Sequence, residues 1–127
     1  MLRRSRITVA AIDATRIPDK LFFPVFPKSI LPRFAEAMRA IGLGNDEPPD
    51  DDFGTPDDQI DAQINCGLVL DRKYQALEAH SSQTAGSFFM KLGRERFQDL
   101  FGTESFVYAA PRLGTQRPEH DLFAGLR

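Results

Sequence analysis

The side chains best suited by type to do chemistry are His80, Ser81, Ser82 and Gln83, four hydrogen-bonding groups in succession, with Thr84 and Gly86 just beyond. Upstream of them, Val69, Leu70, Lys73, Tyr74 and Leu77 recur at three- and four-residue steps, which places them on one face of a helix. Asp71, Arg72, Gln75 and Glu78 take the other side, and Ala76 and Ala79 favour the helix and permit close packing. A helix with a buried face that ends in His, Ser and Gln can hold polar groups at the rim of a pocket. The same residues also read as a helix end running into a polar loop, with His80 bonding the last carbonyls and favoured by the helix dipole. Lys73, on the inward face, is expected to lay its stem along apolar surface or to pair with a carboxylate.

The other reactive residue types organise into nothing comparable. Cys66 ends an apolar-polar alternation with no histidine near it in sequence, the setting of a small buried thiol rather than a nucleophile. Ser81 and Ser82 lack the glycines of a nucleophile elbow. Asp50, Asp51 and Asp52 lack the alternating ligand spacing and closing glutamate of an EF-hand loop. The two histidines, His80 and His120, form no HExxH pair.

The elements that must position these groups follow from periodicity. Residues 5–15 read as a helix with Ile7, Ala11 and Ala14 along one side and Ile12 nearby, ended by Pro18-Asp19. Residues 21–26 are nearly continuous apolar, as in a strand covered on both faces, with Pro24 confining it to an edge or a bulge. Ser29 is the expected N-cap of a helix whose stripe is Ile30, Leu31, Phe34, Ala37, Met38 and Ile41, with Pro32 in its first turn and Gly42 and Gly44 ending it. Residues 45–58, rich in acid and proline, are a surface loop. Ile60, Ala62, Ile64 and Cys66 then alternate with Gln59, Asp61, Gln63 and Asn65, a half-buried strand. Residues 87–92 are apolar and ambiguous, residues 94–101 form a short helix burying Phe97, Leu100 and Phe101, and residues 105–110 form a last strand. The polar tail, residues 111–127, is expected to be loosely ordered.

With 127 residues the chain is one domain at most, and a net charge of −2 gives no electrostatic reason to expect nucleic acid or an anionic membrane. The apolar stretch after the basic start is cut by Asp13 and Arg16, too soon for a signal peptide, and no run reaches transmembrane length. A single cysteine excludes an internal disulfide and a cysteine-rich zinc site and fits a cytoplasmic chain.

The run Leu-Asp-Arg-Lys-x-x-Ala-Leu-x-Ala-His-x-Ser-Gln at residues 70–83 resembles the closing segment of the PIG-L/LmbE-like deacetylases, zinc-dependent enzymes that remove the N-acetyl group from glucosamine-containing molecules. Lys20-Leu-Phe-Phe-Pro-Val-Phe26 followed by a helix, and Gly54-Thr-Pro-Asp-Asp58 leading into Ile60-Asp-Ala-Gln-Ile64, are similar to that family's late strands and their entry. The resemblance runs over residues 6–110. It implies an α/β fold, the C-terminal part of a Rossmann-like three-layer sheet with flanking helices, carried by residues 1–110. It also implies that His80 and Gln83, which match motif positions, are substrate-binding groups.

In the family the zinc ligands and the general base come from an early His-Pro-Asp-Asp motif and a mid-chain His-Pro-Asp-His motif, and neither occurs here. The helix at residues 5–15 resembles the segment that follows the second of these. The expectation is therefore the C-terminal portion of a deacetylase acting on an N-acetylated amino sugar, with zinc belonging to the intact family and not to this chain alone. A rival reading is a non-catalytic module that pairs with a separately encoded N-terminal half or with itself, because a truncated sheet leaves an open edge and an uncovered apolar face. A third is a relic that folds marginally.

Overall fold

A computed structural model describes residues 2–44, 47, 52–80, 82, 88–109 and 117–126. In chain order it contains α1 (Leu2–Thr15), β1 (Phe22–Val25), α2 (Leu31–Ala40), β2 (Ala62–Asn65), α3 (Leu70–Ala79), α4 (Phe88–Phe101) and β3 (Thr103–Tyr108). Single 3-10 turns precede α2, β2 and α3. The α/β class holds in the form of these four helices with a three-stranded antiparallel sheet of order β1-β3-β2.

The last strand lies in the middle. Phe22 to Val25 pair with Tyr108 to Ser105 on one side, and Ala62 to Asn65 pair with Phe106 to Thr103 on the other. The Leu21 carbonyl accepts the Ala109 amide at 2.9 Å. Antiparallel ladders alternate, so the backbone groups of Phe22 and Pro24 turn to the open side. Pro24 thus sits where a missing donor costs the ladder nothing, as its sequence context requires. The strand is not covered on both faces as its apolar run suggests: Pro24 is exposed and Phe26 is 50% exposed. Edge position, rather than a central place in a parallel sheet, accounts for that difference.

The alternation of β2 holds for Ile60, Ala62 and Cys66, which are buried, but Asp61 from the expected polar face is buried as well. Its amide donates to the Phe106 carbonyl at 2.9 Å, and its carboxylate accepts the Tyr108 amide at 2.8 Å and pairs with Arg117 Nε at 2.7 Å. A buried carboxylate so supplied with donors is tolerable in a core. Within the stretch expected to be a loose tail, Glu119 bridges to Ala62 in parallel and is almost wholly buried.

The predicted stripe of α2 packs as expected: Ala37 is buried against Leu92 and Leu100, with Ile30, Phe34, Ile41 and Phe101 around them. Ser29 is not its N-cap. A 3-10 turn over Lys28–Ile30 comes first, Ile30 takes the cap position, and Ser29 instead gives its amide and hydroxyl to the Asp57 carboxylate. Residues 88–92 of the ambiguous stretch prove helical, and α4 is bent at Gly93, whose φ of 77° is open to glycine without strain. Beyond the bend, Phe97 is 2% exposed and meets the rings of Tyr74 and Phe101 at 5.3 and 5.2 Å. In α1 the expected stripe fails: Ile12 is buried, but Ile7 is 71% exposed and Ala11 and Ala14 are exposed, because the helix has little to pack against. Val69 also departs from its predicted inward face, since it lies in the 3-10 turn before α3 and is half exposed.

Candidate functional site

Tyr74 is the buried anchor of α3, and its ring stands edge-on to Phe97. The Arg94 guanidinium lies over that ring, 5.1 Å from its centroid. With the helix so fixed, Lys73 projects toward the start of β3. Its amine donates to the Phe101 carbonyl at 2.8 Å and pairs with Glu104 Oε1 at 2.7 Å. It therefore closes the C-terminal end of α4, where a cation meets the helix dipole favourably, and the expected carboxylate partner is present.

Two turns further, His80 ends α3: its φ and ψ of −88° and 33° leave the helix, and its amide donates to the Leu77 carbonyl at 3.1 Å. Its side chain is exposed and lines the rim of a cavity of about 590 Å³. The walls come from three separate elements: Pro24 and Phe26 at the end of β1, Ala76 and Leu77 on α3, and Phe89 and Phe101 on α4. Phe106 of β3 adds to the floor. The residue that ends α3 is thus also one that lines the cavity. Gln83, the other expected substrate-binding residue, lies outside the described residues, as do Asp50 and Asp51 of the acidic loop.

The remaining candidates stay apart. His120 is exposed, with Nδ1 3.2 Å from the Gln63 carbonyl oxygen, and is not part of the cavity wall. Cys66 is a buried free thiol with Sγ 3.6 Å from the Ile64 carbonyl oxygen. No group of three His, Cys, Asp or Glu side chains that could hold a metal ion occurs among the described residues, so their donor set does not fit the zinc the family resemblance implies. Among the described residues no helix is long and apolar enough to cross a membrane.

Sequence reasoning missed a second polar constellation. Lys20 Nζ pairs with Glu119 Oε2 at 3.0 Å, and the two side chains are 4% and 1% exposed. The Tyr108 hydroxyl donates to Glu119 Oε1 at 2.7 Å, and the Lys20 amine lies over the rings of Phe22 and Tyr108 at 5.7 and 5.6 Å. Burial works against the charge on Lys20, but hydrogen bonding and attraction to Tyr108 and Glu119 outweigh it and raise its pKa above the ordinary 10.5. No local signal announces this cluster, because its partners are 99 residues apart.

No family model matches the chain. No solved structure matches it. Curated relatives do. A protein of Acidothermus cellulolyticus, named 1D-myo-inositol 2-acetamido-2-deoxy-alpha-D-glucopyranoside deacetylase, is 36% identical over 98% of this chain and 46% of its own length. Proteins of the same name from Kribbella flavida and Salinispora arenicola are 39% identical over 61% of the chain and 30% identical over 98% of it, covering 28% and 45% of their own lengths. The chain spans less than half the length of these relatives. Its match is to their C-terminal portion, and on that homology the chain belongs to the PIG-L/LmbE-like deacetylase family.

Proposed function

We propose that this chain supplies one wall of the substrate site of a hydrolase that removes the acetyl group from an acetylated amino sugar. The observation that carries the reading is the position of His80: the motif segment that resembles the family delivers it to the rim of the cavity between β1, α3 and α4. An imidazole there can donate to a sugar hydroxyl through one ring nitrogen and accept through the other. Gln83, three residues on, would add an amide with both a donor and an acceptor. In this reading residues 1–110 form the C-terminal part of a Rossmann-like layered sheet, and the residues that hold zinc belong to the N-terminal portion of the family fold. That portion is supplied either by a longer chain or by a separate polypeptide. A cytoplasmic setting goes with the same reading.

The test is a hybrid in which this chain replaces the matching portion of the Acidothermus relative, assayed on that relative's named substrate. His80→Ala should raise KM about tenfold, the loss of one hydrogen bond to substrate, with the thermal midpoint unchanged. Unaltered kcat/KM in a folded hybrid would remove His80 from the pocket.

A further inference from the structure

We propose that a polar cleft between strands β2 and β3 and helices α2 and α4 binds a neutral polyhydroxylated molecule, a sugar or cyclic polyol, apart from the recess that His80 lines. Ser105 is 5% exposed, and among the described residues its hydroxyl has no hydrogen-bond partner. Burying a hydroxyl unpaired is costly, so such a group calls for an occupant from outside the chain. The pleat of β3 puts Ser105 and Thr103 on one face, in register with Gln63 and Asn65 of β2. All four line a cleft of about 530 Å³, with Arg33 of α2 and Gln98 of α4 on its other walls. That is the size of a small-molecule site.

The wall selects the class of ligand. Among the described residues the carboxamides of Gln63 and Gln98 and the hydroxyl of Thr103 also lack partners, and each can both donate and accept. A ring bearing several hydroxyls has the same dual character at every position, so it can pair with all of them. The charges of the cleft are already committed to each other. Among the described residues its wall carries one cation and one carboxylate, and Arg33 donates to the Asp99 carbonyl and carboxylate at 2.8 and 2.6 Å. An anion therefore meets a neutralised cation, and a metal ion a neutralised carboxylate. Leu100 adds apolar surface for the C–H face of a ring. The cleft meets the recess at Leu100 and Ser105, but His80, Leu77 and Phe89 take no part in its wall. Its occupancy is thus independent of the deacetylase reading.

The measurement is a titration of the full chain, labelled with nitrogen-15, with glucose and with myo-inositol as neutral probes. The side-chain amide signals of Gln63 and Gln98 are followed by NMR. Both should shift and saturate in the millimolar range with at least one probe, and sodium phosphate at matched ionic strength should leave them in place. Ser105→Ala should weaken probe binding about tenfold, the loss of one hydrogen bond to the ligand. Its thermal midpoint should hold or rise, because the substitution removes a buried unpaired hydroxyl. Gln98→Leu, half-buried on α4, should weaken binding by a similar factor and reads the site without disturbing the sheet. His80→Ala should leave the titration unchanged. No saturable shift with either probe up to about 100 mM overturns the proposal and leaves water as the partner of Ser105. Binding that His80→Ala abolishes and Ser105→Ala spares overturns it too, and puts the sugar in the recess. Unchanged binding with a midpoint several degrees lower in Ser105→Ala would likewise overturn it, since the hydroxyl would then serve the fold.

Discussion

Glu119→Ala isolates the energetic role of the buried pair that joins the two ends of the described chain. The substitution leaves the Lys20 ammonium, 4% exposed, without its carboxylate and the Tyr108 hydroxyl without its acceptor. Breaking a buried ion pair by removing one partner costs about 3–5 kcal/mol, because the surviving charge stays desolvated. The faces of Phe22 and Tyr108 remain beside the amine and return about 1 kcal/mol of this, giving a net loss of about 2–4 kcal/mol. Set against the 5–15 kcal/mol typical of a whole domain, that is a large share, and it should lower the thermal midpoint by roughly 10 °C. The assay is urea unfolding followed by far-ultraviolet circular dichroism, with a lower midpoint at an unchanged slope. Lys20→Met/Tyr108→Phe/Glu119→Leu, which removes every polar member together, should lie within about 1–2 kcal/mol of the parent, since nothing is left buried and unpaired. A loss under about 1 kcal/mol for Glu119→Ala would refute the reasoning. It would mean that Lys20 escapes to water and that the backbone bridge of Glu119 to β2 suffices to hold that segment.

The raised pKa of Lys20 fixes a sign: its contribution is fully present below the unfolded value of about 10.5 and is lost as pH rises through the higher folded value. Urea midpoints of the parent should therefore fall above about pH 10.5 more steeply than those of Lys20→Met, and parallel curves would count against it. Phe97→Ala empties the space between Tyr74 and Phe101 and should cost about 3–5 kcal/mol by the same unfolding assay, whereas a cost near 1 kcal/mol would mean the site collapses. Gly93→Ala meets no atom within 4 Å of its new Cβ, so its loss of about 1–3 kcal/mol is conformational alone, set by a φ of 77° and ψ of 166° that only glycine adopts freely. Gly93→Asn should cost as much, because a ψ of 166° lies outside the left-handed helical region that asparagine tolerates, and a clearly milder loss would refute this.

What could be read from the sequence was what local periodicity carries. The stripe from Ile30 to Ile41 and the inward Phe97 and Leu100 reflect a 3.6-residue repeat that survives in the structure. The motif at residues 70–83 contains a cavity-lining residue, His80, but the cavity itself was illegible, since its walls come from β1, α3 and α4 and meet only through tertiary packing. β3 begins two residues earlier than the apolar pattern suggests because Thr103 and Glu104 are strand through pairing with Asn65 and Ile64, not through hydrophobicity. Asp61 broke the alternation of β2 for a reason no window around it contains: its partners are the amide of Tyr108 and the guanidinium of Arg117. Ser29 shows the same limit on a smaller scale, a good capping residue drawn off by Asp57.

The place of β3 between β1 and β2 bears on synthesis. Both flanking strands leave the ribosome well before the strand that pairs with them, and in this order they have no ladder with each other. Until residues 103–108 emerge, the backbone edges of residues 22–25 and 62–65 that pair with them stand open, while the local helices α2 and α3 can already form. Both ladders of the described sheet must therefore await residues 103–108, and a chain stopped short of residue 103 would form neither of them.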